Sequence, residues 1–207
     1  MAAAGEGDAR LLLQCTGLGL VRGERELFSG LELSLHAGDV LQIEGENGAG
    51  KTSLLRVLAG LARYGYEGAV ERLAPLLFIG HLSAVKGLLT PRENLLWHVD
   101  GAGVYSDAAV CAALAAVGLA GYEDVPAHQL SAGQHRRVNL ARLHLSQQPL
   151  WLLDEPFTAI DRDGIASLQR LFVSHASSGG AVVLTSHQAL DIEYPLQRLL
   201  LRAGDRA

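Results

Sequence analysis

Residues Gly45, Glu46, Asn47, Gly48, Ala49, Gly50, Lys51 and Thr52 place four free positions between a glycine and a Gly-Lys-Thr triplet. This is the spacing of a phosphate-binding P-loop. Glycines there let the backbone curl until several N–H groups face one anion, and a helix starting at the loop adds the positive end of its dipole. The Lys51 ammonium would reach the β- and γ-phosphates of a nucleotide. Thr52 would offer its hydroxyl to Mg²⁺, with Ser53 next in line. Glu46, an acid beside the phosphates, is expected to point outward. Lys51 and Lys86 are the only lysines in the chain, so a lysine at this position is not background composition.

The elements needed to hold such a loop are present. Asp39–Ile43 reads as a buried strand leading into it, and Ser53–Ala59 as a helix leaving it, with an apolar face at positions 54, 55 and 58. That helix is expected to run out near Ala62, before Gly65 and Gly68. A second candidate half-site lies far along the chain. Leu150–Leu153 is an apolar strand that ends in Asp154 and Glu155, and the end of a parallel strand is where open α/β sheets place ligands. Asp154 would share Mg²⁺ with Thr52, and Glu155 would polarise an attacking water. Ser131 is a good N-cap for an amphipathic helix over Arg136–Leu145, and a helix start with small residues can also receive a phosphate closely.

Two strands, Leu11–Val21 and Gly30–His36, are expected around an exposed loop, Arg22–Glu26. Leu31–Leu35 alternates strictly, as a half-buried strand does. Pro75–Ile79 and Ala181–Thr185 read as further buried strands, with a helix over about Asp163–Ala176. Strands alternating with helices indicate an α/β fold with a mainly parallel sheet. Residues 83–149 show helices and loops, which reads as a helical subdomain inserted into a single domain spanning 1–207.

An apolar share of 49% over 207 residues and a mean hydropathy of +0.19 argue for a compact core and against disorder. The net charge of −5 speaks against a general nucleic-acid binder. Cys15 and Cys111 are too few and too separated for a disulfide framework or a thiolate metal site, which fits a reducing compartment. The N-terminal residues lack the basic region and apolar run of a signal peptide. The Ala-rich run Ala108–Ala120 is too short and too broken by Gly118 to span a membrane.

Taken together, these residues resemble a family: the ATP-binding subunits of ABC transporters. The resemblance rests on the P-loop at 45–52, the signature Leu130-Ser131-Ala132-Gly133-Gln134 and the strand ending in Asp154-Glu155. It also rests on Thr158-Ala159-Ile160-Asp161, which matches the family's D-loop, and on Thr185-Ser186-His187, which carries its switch histidine. It implies ATP and Mg²⁺ as ligands and a homodimer that sandwiches two nucleotides head to tail. Ser131, Gly133 and Gln134 would then face the nucleotide held by a second copy. His187 would contact the γ-phosphate, and Asp161 would link the two sites.

Within the family, the segments around 45–56, 79–81, 129–134 and 151–161 are most similar to the ATP-binding subunits of bacterial cytochrome c maturation, or haem-export, systems. That likeness implies a separate integral membrane permease subunit, further maturation proteins and a peripheral position on the cytoplasmic face of the inner membrane. The permease would dock beside His81, on Leu82–Arg92 and the helical insert, where Leu82, Val85, Leu88 and Leu89 either receive a short coupling helix or pack the insert onto the core.

Three positions depart from the family pattern. Ala132 replaces a glycine of the signature. His81 stands where the family has a glutamine; imidazole suits Mg²⁺ less well than an amide oxygen and would make coupling depend on pH. Arg22 falls where an aromatic residue usually stacks on adenine, and a guanidinium plane can also stack on a base. Other readings fit less well. A DNA- or ribosome-acting ABC ATPase would carry a long coiled-coil insertion or two P-loops. A P-loop kinase or GTPase would not need the signature, D-loop and switch histidine together. A transporter of another substrate remains the alternative.

Overall fold

A computed structural model describes residues 9–62, 65–97 and 105–202; the N-terminal segment read above for a signal peptide lies mostly outside them. The described chain forms two sheets. An antiparallel sheet has the order β2-β1-β4, from β1 (Leu11–Arg22), β2 (Arg25–His36) and β4 (Tyr66–Arg72). The second sheet has the order β5-β6-β7-β3-β8, built from β3 (Val40–Gly45), β5 (Leu76–Ile79), β6 (Leu150–Asp154), β7 (Ala181–Thr185) and β8 (Gln197–Leu201). Within it, β6 pairs with β7, β7 with β3, and β3 with β8, all parallel. The helices are α1 (Lys51–Leu58), α2 (Pro91–Leu96), α3 (Asp107–Ala116), α4 (Ala132–Leu145) and α5 (Arg162–Ser177). The α/β class with a mainly parallel sheet, antiparallel N-terminal strands and a helical insertion is what the sequence pattern indicates.

Every residue of β6 and β7 is buried, as expected of central parallel strands covered on both faces. The edges are less regular. The first hairpin turns at Gly23 and Glu24, so β2 begins at Arg25, earlier than the alternating pattern indicates. Two strands, β4 and β8, have no counterpart in the sequence reading. Each closes the edge of its sheet and is largely exposed, so neither shows the two-residue apolar period that betrays a half-buried strand. Gly68 stands where β4 crosses an irregularity in β1, and a Cβ there would lie 2.5 Å from the carbonyl oxygens of Thr16 and Gly17.

Helix α1 stops at Leu58, short of the expected Ala62. Gly60, at a left-handed φ of 74°, ends it: Gly60 N donates to Val57 O at 3.0 Å and Leu61 N to Arg56 O at 2.9 Å. Arg72 on β4 adds bonds from Nε to Leu58 O at 2.7 Å and from Nη2 to Val57 O at 2.5 Å. A cation at this end also complements the helix dipole.

Chain contacts divide the molecule into two units, each with its own core. The first draws its described residues from Met1–Phe78, Gln148–Asp154 and Gln169–Ala207. Its core joins leucines of β1 and β2 to Leu54, Leu55 and Leu58 of α1 and to Leu150, Leu152 and Val183. The second comprises Ile79–Gln147 and Glu155–Leu168, with Leu95, Val110, Leu114, Val138 and Ala141 at its centre. Among the described residues, no helix is long and apolar enough to cross a membrane.

In the first unit the Trp151 and His175 rings stack with centroids 3.7 Å apart and planes 7° from parallel. The His175 Nε2–H donates to Pro149 O at 3.1 Å. Burial pushes the His175 pKa down, and does the same to His144 in the second unit. A pKa lower in the folded chain than in the unfolded one means that protonation favours unfolding. The stabilisation is complete above the ordinary imidazole value of about 6.5 and is lost as the pH falls below it. Thermal melts should therefore show Tm falling between pH 7 and pH 5. His175→Phe, which keeps a stacked ring, should show a smaller fall.

Candidate functional site

The first unit assembles the phosphate half of the site. Gly50 ends the loop with φ of 101°, a left-handed conformation open to glycine, and α1 begins at the next residue without a side-chain cap. Helices α2, α3 and α4, by contrast, are capped by Thr90, Ser106 and Ser131. A Cβ at Gly50 would also press on Leu27 at 3.2 Å. The first amides of α1 are thus presented by an uncapped helix end, the arrangement that receives an anion. Lys51 is 8% exposed; its Nζ donates to the carbonyls of Gly45 at 2.6 Å and Glu46 at 3.1 Å, which holds the ammonium across the loop. Glu46, Asn47 and Gly48 are exposed, Ala49 is buried, and Ser53 is half-buried. Glu46 is therefore surface-placed, as expected.

Asp154 ends β6 with 1% exposure. Its Oδ1 accepts two hydroxyl donors, Thr52 Oγ1 at 3.0 Å and Thr185 Oγ1 at 2.9 Å. Residues separated by about a hundred positions in sequence thereby meet at the carboxyl ends of adjacent strands. The donors are a hydroxyl and a carboxylate, hard oxygens of the kind Mg²⁺ prefers. Among the described residues no group of three or more His, Cys, Asp or Glu could hold a metal ion. A site at Thr52 and Asp154 would thus need phosphate and water oxygens to complete it, as Mg²⁺–nucleotide sites do.

The second unit carries the remaining candidates. Glu155 takes a left-handed φ of 50°, and Ala159 one of 60°, so the chain leaves β6 through a tight, strained turn. Arg136 on α4, 5% exposed, secures that turn: its Nη2 donates to Glu155 O at 2.7 Å and its Nη1 to Gly80 O at 2.8 Å. One guanidinium therefore fixes the backbone at Glu155 and next to His81, whose side chain is exposed.

At the start of α4, Ser131 and Gln134 form a reciprocal cap. Gln134 N donates to Ser131 Oγ at 3.2 Å, and Ser131 N to Gln134 Oε1 at 2.9 Å. The helix starts at Ala132, four residues before the expected Arg136, so Ala132, Gly133 and Gln134 form its first turn. Gly133 lies close under the D-loop segment; a Cβ there would meet Ala159 O at 3.1 Å. Asp161 accepts from Gly164 N at 2.9 Å and from Arg137 Nη2 at 2.7 Å. Those contacts, the Gly164 amide foremost, hold its carboxyl below the usual range.

In the first unit, His187 is exposed just beyond β7. Arg22 is exposed at the end of β1, opposite Arg25. It is Arg25 whose Nη1 approaches the loop, 3.9 Å from where a Cβ on Gly48 would lie. In the loop after His81, Leu82 and Leu88 are 80% and 92% exposed, whereas Val85 packs on the core of the second unit.

Comparison with known proteins decides the family. The model described as "ABC transporter" matches residues 28–158. The chain belongs to the ABC transporter ATP-binding family. Among its relatives is the "Cytochrome c biogenesis ATP-binding export protein CcmA" of Shewanella frigidimarina, 49% identical over 89% of this chain and 90% of its own. The proteins of that name from Yersinia pestis and Pseudomonas putida are 51% and 52% identical, over 86% and 87% of this chain and 87% and 91% of their own. A solved ABC transporter of metal-chelate type, in an inward-facing conformation, is 26% identical with a TM-score of 0.69, covering 86% of this chain and 74% of its own. An ATP-binding subunit of another ABC transporter has a TM-score of 0.75 at 20% identity over 85% of this chain and 79% of its own, which speaks to the fold alone. This ABC protein is an ATPase.

Sequence reasoning missed Arg136, Arg137 and Thr185. A signal for Arg136 existed: with Asn139, Leu140 and Leu143 it follows the i, i+3, i+4, i+7 spacing of one helix face, and all four are buried. A charge on such a face has to be answered by partners. Arg136→Met keeps the bulk and removes both bonds to carbonyls. It should lower stability by about 3–6 kcal/mol, since bonds from charged donors contribute about 1.5–3 kcal/mol each. Thermal melts and ATPase assays should show Arg136→Lys, which cannot span both carbonyls in the same fork, recovering only part of the loss.

Proposed function

We propose that this chain is the ATP-hydrolysing subunit of an ABC transporter complex of c-type cytochrome biogenesis, where it energises haem handling with a separate membrane permease subunit and further maturation proteins. What carries the reading is its near-half identity, along most of its length, to export proteins named for cytochrome c biogenesis. Its place would be peripheral, on the cytoplasmic face of the bacterial inner membrane. The chain would act as one ATP-binding domain over 1–207, with a helical subdomain over 83–149, and without nucleic-acid partners.

In this reading the loop from Gly45 to Gly50 and the first turn of α1, with Lys51, Thr52 and Ser53, bind the nucleotide phosphates. Thr52 and Asp154 hold Mg²⁺, which when bound would neutralise charge on the β- and γ-phosphates. Glu155 accepts a proton from water as its oxygen bonds to the γ-phosphorus and the bond to the β–γ bridging oxygen breaks. His187 steadies the γ-phosphate and the attacking water. Two copies pair head to tail, so that Ser131, Gly133 and Gln134 of one meet the nucleotide bound by the other, and Asp161 lies at their junction. His81 relays the state of the site to the permease through water or hydrogen bonds, and Leu82 and Leu88 offer the permease an apolar contact. Arg22, with Arg25 beside the loop, supplies a guanidinium for the adenine face.

Glu155→Gln keeps the size of the side chain and removes its basicity. It should abolish turnover, leave ATP binding intact and accumulate ATP-bound dimers, readable by size-exclusion chromatography. Purified from membranes, that variant should bring down a cytochrome c maturation permease; recovery of an unrelated permease would refute the haem assignment and leave the ATPase. His81→Gln should alter how strongly the permease stimulates ATPase activity; stimulation equal to that of wild type would end the coupling role of His81.

A further inference from the structure

The middle of β3 contains an anomaly. Val40, Leu41 and Ile43 are buried and apolar, yet Gln42 among them is only 1% exposed. A buried amide is disfavoured unless its donor and acceptor are both satisfied. Gln42 satisfies them beyond the end of β7. Its Nε2 donates to Gln188 O at 2.9 Å, and its Oε1 accepts from Leu190 N at 3.4 Å.

The strand ladder explains why this matters. Strand β3 pairs with β7 through Gln42↔Leu184 and Ile43↔Thr185, after which β7 ends. The Gln42 amide, which has the donor–acceptor pair of a peptide group, bridges from β3 to the turn at 186–190 that follows β7. Ser186 Oγ accepts from Gln188 N at 2.9 Å, closing the turn from its near side. Ser186 and Leu190 are each 6% exposed, and the three residues between them, His187, Gln188 and Ala189, are exposed. His187 therefore projects from a short arch with both feet anchored. One of the anchors belongs to the strand that runs into the P-loop.

We propose that Gln42 is a positioning residue for His187: it ties the arch carrying the switch histidine to the nucleotide-binding strand, so that the imidazole is held in register with the phosphates. This rests on the assignment of His187 to the γ-phosphate made above. A merely structural Gln42 would support stability alone; a positioning Gln42 acts on turnover through His187.

ATPase assays on the full chain carrying Gln42→Met, His187→Ala and both together test this. Gln42→Met keeps the length of the side chain and removes both hydrogen-bonding functions. It should lower kcat by about tenfold or more, as small misplacements of a reacting group do, with KM for ATP within about twofold of wild type. Added to His187→Ala it should lower kcat no further, because the group it positions is gone. Gln42→Glu, which can still accept from Leu190 N, should regain part of the activity. A Gln42→Met protein with wild-type turnover, with its loss in KM alone, or with its full loss retained on top of His187→Ala, would overturn the proposal. His187→Ala with wild-type turnover would overturn the role of His187 and this proposal with it, which distinguishes the two failures. Hydrogen exchange on the unaltered protein checks the bridge without any variant: the Leu190 amide should be protected relative to that of Ala189. Equal, loop-like exchange of the two would overturn the bridge.

Discussion

The carboxyl group of Asp154 is the fixed point of the first unit. It sits almost fully buried at the end of β6 and takes hydroxyls from α1 and β7 on one oxygen. A buried carboxyl group without such donors would be strongly destabilising, so the two threonines and the aspartate are mutually dependent. Sheet order makes the meeting possible. With β6 beside β7 and β7 beside β3, the ends of three parallel strands open at one edge, and the P-loop rises from the third. The place where the sheet presents its ligands is also the place where its central strands are joined by side chains.

A different device operates within the second unit. The chain turns through a left-handed residue immediately after Asp154, a conformation that costs about 1–2 kcal/mol for a residue with a side chain. With Glu155 as the proposed general base, glycine could not relieve the strain without losing the carboxyl group. Arg136 offsets it by gripping the Glu155 carbonyl, and the same guanidinium holds Gly80 beside His81. Strain at the candidate base and order at the candidate coupling residue thus depend on one buried cation. Replacing it with a neutral side chain would release both at once.

Much of this was legible in the sequence, for reasons that differ by residue. The P-loop, the strand ending at Asp154 and the capped start of α4 are local patterns, in which composition and spacing within ten residues carry the whole signal. Apolar strands β6 and β7 were legible because burial on both faces leaves apolar residues at every position but the last, Asp154 and Thr185. Strands β4 and β8 were not, because an edge strand takes its stability from backbone pairing and needs no apolar stripe. Thr185 and Gln42 were invisible as site residues for a related reason. Each lies inside a strand that reads as core, and its role exists only through partners far away in sequence, Asp154 for one and Gln188 and Leu190 for the other. The early stop of α1 was legible in principle: Gly60 takes a left-handed φ of 74° and Leu61 N bonds back to Arg56 O, a local glycine cap to which Arg72 adds bonds from afar.

Exposure separates the residues that hold the site from those that must meet something outside it. Lys51, Asp154, Thr185 and Arg136 are buried, whereas Ser131, Asp161, His81 and His187 lie in the open. Ser131 shows how such a residue can serve two purposes. In the cap its oxygen accepts the Gln134 amide, a bond that uses a lone pair and not the hydroxyl hydrogen. A hydroxyl has one donor and two acceptor positions, so the side chain that closes its own helix still has a proton to direct at an incoming phosphate oxygen. The bond from Gln134 N also fixes the rotamer from which that proton would be offered, while Gln134 Oε1 holds the Ser131 amide in return. The cap therefore need not compete with phosphate binding; it prearranges the donor, so that the start of α4 is stable in the single chain and suited to the role proposed for it toward the nucleotide of a second copy.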